Sequence, residues 1–194
     1  MESMTFIKNI KQFLIISLLL LTSFAINAED GYRLWLRYDK ISNTSLLAKY
    51  KTAIQFPFVV GVSGTTTIAQ EELSNGLSGL LGMKIICNSG GIAASTLICG
   101  TPRQSSQIDN LLTKLNLNKV GEEGFVISTQ VMSGKKRIII AGNTDIGVLY
   151  GVFHFLRLLQ TNQPVDNLNI VSAPKLKLRM LNHWDNLNRT VERG

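Results

Sequence analysis

Histidine and cysteine are scarce in this 194-residue sequence, with two of each. Cys87 and Cys99 have no further Cys or His at ligand spacing, which excludes a thiolate metal site of the usual kind. No nucleophile elbow or phosphate loop is present. The short run Gly61-Val62-Ser63-Gly64 lacks the length and the following Lys that a nucleotide loop needs. Charged residues make up only 17%, and the net charge of +7 is spread along the chain. A nucleic-acid surface gathers its Lys and Arg on one face, so no nucleic-acid partner is expected. The chain also has no internal repeat and no low-complexity segment.

The longest apolar run lies at the start. Lys8 and Lys11 precede an apolar stretch from Phe13 to Phe24, followed by small Ala25 and Ala28 and then Glu29-Asp30. This is the layout of a secretory signal peptide, and the run is short for a membrane-spanning helix. Cleavage is expected after Ala28, with Ala25 as the alternative, so residues 1–28 are set aside. The chain is then expected to be exported, periplasmic or extracellular, with no membrane attachment after cleavage. The remaining 166 residues keep a charge of +6 and suffice for one domain with a core. Export permits a Cys87–Cys99 disulfide, while the apolar run Leu97-Ile98-Cys99 reads as a buried strand with a free thiol. Both readings stay open.

Residues 33–38 alternate Leu34, Leu36 and Tyr38 against Arg33, Trp35 and Arg37, a strand pattern. Asn43–Lys51 reads as a short helix with Leu46, Leu47 and Tyr50 on one face, and Phe58–Val62 as a second strand. Ser63 to Thr65 offers N-caps for a helix carrying Ala69, Leu73, Leu77, Leu80 and Leu81, closed by Gly82. Gln70, Glu71 and Glu72 are placed near its start, where negative charge suits the dipole. Residues 88–95 read as a loop, and Thr96–Cys99 as a third strand. Ser105 or Ser106 caps a helix with Ile108, Leu111, Leu112 and Leu115. Gly124–Val131 and Lys136–Ala141 form a hairpin. Asn143 caps a long helix to about Gln160, apolar nearly all round and hence mostly buried, with Gly147 and Gly151 allowing close approach to a sheet. Leu168, Ile170 and Val171 form a strand, and Leu176 to Leu181 one more.

Strands alternating with helices, plus a hairpin, predict a layered α/β domain over 29–173. Residues 174–194 differ in kind: a strand with nothing after it to pair with, then a polar stretch. The chain is therefore expected to continue, in nature, past Gly194.

The pairs Glu71-Glu72 and Glu122-Glu123 do not converge on a substrate, because adjacent residues point different ways; they read as solvated. His154 reads as a satisfied core histidine. One patch differs: Leu181-Asn182-His183-Trp184-Asp185-Asn186 gathers an aromatic, two amides, an imidazole and a carboxylate. Sugars are bound by such sets, the aromatic on the ring's C–H face and the polar groups on its hydroxyls. A polar loop with no ligand is the other reading, and composition alone does not separate them.

Residues 145–160 (Asp-Ile-Gly-Val-Leu-Tyr-Gly-Val-Phe-His-Phe-Leu-Arg-Leu-Leu-Gln), residues 181–187 (Leu-Asn-His-Trp-Asp-Asn-Leu) and residues 191–194 (Val-Glu-Arg-Gly) resemble the N-terminal third of glycoside hydrolase family 67 α-glucuronidases. Residues 29–38 are similar to the start of the mature family sequence. The resemblance implies an N-terminal domain like that of β-hexosaminidases, followed by a (β/α)8 barrel that begins in 174–194 and a helical domain used in homodimerisation. It implies hydrolysis, with inversion, of α-1,2-linked (4-O-methyl)glucuronic acid from xylan-derived oligosaccharides, without a metal or organic cofactor. Trp184 would line the glucuronate subsite, with His183, Asp185 and Asn186 as neighbours at the C-terminal end of the first barrel strand. The acid and base have no counterpart in this sequence and are expected beyond Gly194, so the fragment alone is expected to be inactive. Residues 187–190, Leu-Asn-Arg-Thr, depart from the Asp-Gly expected in relatives. A hexosaminidase-like leading domain and a non-catalytic exported carbohydrate-binding domain are the alternative functions.

Overall fold

The computed structural model describes residues 37–102, 104 and 117–180. The proposed leader, the helix capped at Ser105 or Ser106, and the patch from Leu181 onward lie outside the described residues. Every element below lies in the unit that starts at Arg37.

Five strands form one mixed sheet among the described residues: β1 Phe58–Val59, β2 Leu97–Gly100, β3 Phe125–Met132, β4 Lys135–Gly142 and β5 Asn169–Ser172, in the order β1-β2-β4-β3-β5. β1, β2 and β4 run parallel, while β3 is antiparallel to both β4 and β5. The helices are α1 Thr44–Ala53, α2 Gly64–Leu81, the single turn α3 Gly91–Ala94, and α4 Asp145–Gln160. The α/β class read from the sequence holds.

Capping chemistry sets the helix starts. Asn43 Oδ1 accepts the Leu46 amide at 3.0 Å and Ser63 Oγ accepts the Thr66 amide at 3.2 Å. The cap of α4 is Thr144, whose Oγ1 accepts the Gly147 amide at 3.3 Å, and not Asn143. Asn143 instead donates to the carbonyls of Leu117 and Gly121, both at 2.9 Å, tying the turn before β3 to the end of β4. Gly82 closes α2 in the left-handed conformation, as expected. The acidic residues of α2 sit in mid-helix, since the helix starts at Gly64 and its first turn holds no acid. Glu72 there accepts the Tyr38 hydroxyl at 3.0 Å, and burial with the Glu72 charge holds that phenol well above its ordinary range.

The strands are less regular than alternation predicts. Tyr38 has φ 52°, which no strand accommodates, so the first expected strand does not extend to it. β1 is only two residues long because Gly61, at φ 114°, turns the chain. Asn88 completes it: its amide oxygen accepts Val59 N–H at 2.8 Å and its nitrogen donates to Val59 C=O at 2.9 Å, covering a bare edge. The β3–β4 hairpin is longer than read from sequence, closing on Ser133-Gly134 with both residues at positive φ. Leu176 to Met180 do not form a strand. Leu176, Leu178 and Met180 are 68–79% exposed, the chain bends at Lys175 and Lys177, and a strand needs a neighbour to bond.

The sheet buries both faces. Ile98, Val126, Ile139 and Ala141 point to one side, with Val60, Leu117 and Val120. Cys99, Phe125 and Ile140 alternate to the other, where α2 and α4 pack. α4 is buried along one stripe, Val148, Val152, Phe155, Leu156 and Leu159; Ile146 and Tyr150 on its other side are exposed, so it is less enclosed than its apolarity suggests. Cys87 and Cys99 are free and buried, and burial raises both thiols. A buried neutral thiol is a poor nucleophile.

His154 is half-buried, with its ring 5.2 Å from that of Phe125. Burial, then the Arg157 charge, lowers its pKa below the ordinary 6.5. The unfolded chain therefore takes up this proton first as pH falls. The contribution is whole above about pH 6.5 and is lost as the pH drops from there toward the lower folded value. Urea midpoints at pH 7.5 and 5.5 should differ less for His154→Leu than for the unsubstituted chain; an unchanged difference would show that His154 does not contribute.

Candidate functional site

Open α/β sheets usually bind ligands at the carboxyl ends of their parallel strands. Here that pole holds Gly61, Ser63, Thr101, Gln104, Thr144 and Asp145, at the ends of β1, β2 and β4 and the starts of α2 and α4. The chain fills it with its own groups. Asp145 Oδ2 accepts Ser63 Oγ–H at 2.6 Å, and Oδ1 accepts Gln104 Nε2–H at 2.9 Å. Gln104 Oε1 in turn accepts the Thr101 amide at 3.0 Å. A Cβ on Gly61 would lie 2.8 Å from Gln104 Nε2, so the loop is closed tightly over this network. An anion placed between two helix starts normally marks a ligand; here the anion is Asp145. The arrangement is a latch joining α2 to α4 and leaves no vacant catalytic centre among the described residues.

Two other described carboxylates are also engaged. Glu72 holds Tyr38, and Glu123 forms an exposed ion pair with Arg179, correcting the reading of Glu123 as merely solvated. That pair raises the guanidinium's pKa through its hydrogen bond to Glu123. It ties the segment after β5 back to the loop before β3. Trp184, His183, Asp185 and Asn186 lie outside the described residues, so the structure neither gathers nor separates them. No cluster of three or more His, Cys, Asp or Glu able to hold a metal occurs among the described residues.

The amino ends of the strands carry a feature that sequence reading missed. A groove of about 570 Å³ lies between α1, the starts of β2 and β4, and the Val165-Asp166 turn. Lys49, Lys135 and Lys136 line it with Asp166, over an apolar floor of Ala53, Ile138 and Val165. Its lining comes from five stretches of sequence, and no local motif marks it.

The sheet and its helices lie almost wholly within one family match. The family model described as the Glycosyl hydrolase family 67 N-terminus matches residues 34–155, more than half the chain. The chain belongs to glycosyl hydrolase family 67. The model of that family's middle domain follows at once, over residues 158–194. Among curated relatives, the alpha-glucuronidase of Hypocrea jecorina is 30% identical over 190 residues, covering 91% of this chain and 22% of that protein. The probable alpha-glucuronidase A of Neosartorya fischeri is 28% identical over 177 residues, covering 90% of this chain and 20% of that protein. The family 67 chain thus spans about a fifth of the length of the curated relatives it matches. A solved 4-O-methyl-alpha-glucuronidase of family 115 overlays 62% of this chain and 18% of its own at 19% identity and a TM-score of 0.48, too slight a likeness to argue from. No helix among the described residues is long and apolar enough to cross a membrane.

Proposed function

We propose that this chain is the leading part of an α-glucuronidase that removes α-1,2-linked (4-O-methyl)glucuronic acid from xylan-derived oligosaccharides. The observation that carries the reading is the consecutive match of the family 67 N-terminal and middle models, on a chain aligned over 90% or more of its length with proteins named alpha-glucuronidase. In this reading residues 1–28 are a cleaved leader and the enzyme is exported. Residues 29–173 form the hexosaminidase-like α/β domain, with β5 as its last strand. Residues 174–194 open the (β/α)8 barrel.

The exposed side chains of Leu176, Leu178 and Met180 support this division. They alternate in sequence along a segment anchored by Arg179 to Glu123, and a neighbouring barrel strand would bury them. Trp184 then stacks on the glucuronate ring, with His183, Asp185 and Asn186 beside it. The catalytic pair lies in the length of the relatives that this chain does not span. One carboxylic acid there protonates the leaving oxygen, and one carboxylate activates water on the opposite face, giving inversion. No metal or organic cofactor takes part, and the complete enzyme is a homodimer.

Release of 4-O-methylglucuronic acid from aldouronic oligosaccharides tests the proposal. A version extended to the length of the relatives is expected to release it, with or without EDTA, and the 194-residue chain is not. A well-folded extended protein with no such activity would remove the assignment and favour a non-catalytic carbohydrate-binding domain.

A further inference from the structure

The groove at the amino ends of β2 and β4 has a composition that the fold does not require. Lys49, Lys135 and Lys136 are among its lining residues with the single carboxylate of Asp166; strand alternation puts Lys136 on the face of Ile138 and Lys135 on the other. Among the described residues the side chains of Lys49 and Lys135 have no hydrogen-bond or ion-pair partner, and Lys136 Nζ reaches only the Asp166 carbonyl, at 3.5 Å. Lys49 comes from α1 and Lys136 from β4, so an anion in the groove would meet lysines of two separate elements, neither held by another side chain.

The remaining lining narrows the class of anion. The volume of about 570 Å³ falls in the range of small-ligand sites and exceeds what a lone inorganic ion fills. The apolar floor of Ala53, Ile138 and Val165 suits the C–H face of a saturated ring, and the lining also includes a carboxylate, Asp166, a group that accepts from hydroxyls. Lysine is a compact point charge on a flexible stem, suited to a single carboxylate.

We propose that this groove is an accessory binding site for an acid-bearing oligosaccharide, with the uronate carboxylate between Lys49 and Lys136 and neutral sugar on the apolar floor. This rests on the glucuronoxylan reading above. It assigns the N-terminal domain a part in holding the decorated chain, separate from the Trp184 patch.

The test uses the whole 194-residue chain and NMR titration with three probes: aldotetraouronic acid, neutral xylotriose and inorganic phosphate. The acidic sugar is expected to shift the amides of α1 and the hairpin turn, with xylotriose and phosphate each weaker by about tenfold. Lys49→Glu and Lys136→Glu should each weaken aldotetraouronic acid by about tenfold, while Lys84→Glu, the same charge change outside the groove, should leave it within about twofold. Equal binding of xylotriose or phosphate, equal weakening by Lys84→Glu, or no shift in the groove would overturn the proposal. Its failure is distinct from that of the hydrolase reading. An extended protein can release glucuronic acid while the groove binds nothing, and the groove can bind the acidic sugar when no hydrolysis occurs.

Discussion

Gly147→Ala is expected to destabilise the chain by about 2–3 kcal/mol, an effect of unusual size for the addition of one methyl group. A Cβ at this position would stand 2.4 Å from the carbonyl oxygen of Gly124 and 3.4 Å from Cα of Gly142. Both obstacles are backbone, and they belong to the residue just before β3 and to β4's last. Neither can rotate aside as a side chain would, so α4 must move off the sheet by most of an ångström. That movement loosens the contacts of Val148 and Val152 below it, both wholly buried. Alanine's helix propensity returns about 1 kcal/mol, too little to offset the displacement.

The comparison with Gly151→Ala sharpens the point. The Cβ there meets Ile140 Cγ2 at 2.5 Å, a side-chain atom with some freedom to yield. Gly151→Ala should therefore be the milder change. Thermal melts give the readout, with roughly 2–4 °C lost per kcal/mol in a chain of this size. If Gly147→Ala melts with the unsubstituted protein, α4 does not press on the strand ends as described.

Phe155→Ala is expected to lose about 3–5 kcal/mol. Phe155 has no exposed surface and stands in the buried stripe of α4 with Val152, Leu156 and Leu159. Truncation removes the ring's transfer free energy and leaves a cavity. The neighbours cannot collapse into it readily, because α4 is held at Gly147 by backbone contacts and at Gly76 by Leu156, whose Cδ atoms lie 2.7 Å from where a Cβ would be. Domains of this size hold only about 5–15 kcal/mol in total, so the loss is a large share. Ile146→Ala on the same helix is the control. At 43% exposure it should cost far less, under about 1 kcal/mol. Urea midpoints for the two variants test the ranking; equal losses would mean that the buried and exposed faces of α4 are misassigned.

Much of this was legible in the residues themselves. The periodicity of Leu73, Leu77, Leu80 and Leu81, the Ser63 cap and the Gly82 stop placed α2 to within a residue. The two glycines of α4 announced a close approach to a sheet, and the hairpin was marked by Ser133-Gly134. These signals are local: a cap, a turn or an apolar stripe acts within a few residues of itself. The family was legible for a related reason, since residues 145–160 carry it in one continuous run.

Contacts between distant segments were not legible. Alternation at 33–38 suggested a strand, but nothing local could show that Tyr38 turns left-handed to reach Glu72. Apolar alternation from Leu176 read as a strand, but a strand exists only through its neighbour's hydrogen bonds. Asn143 has the chemistry of a cap and Thr144 took the role, because Asn143 was drawn to two carbonyls more than twenty residues back. The sequence by itself determined the class of fold, the helices with strong caps and the family, because those rest on short-range patterns. Tertiary structure alone decided that Asp145 is a latch and that Lys49 joins Lys135 and Lys136 around one groove. The latch bonds span 82 and 41 residues, and partnership at such separations is created only when the sheet brings the segments together.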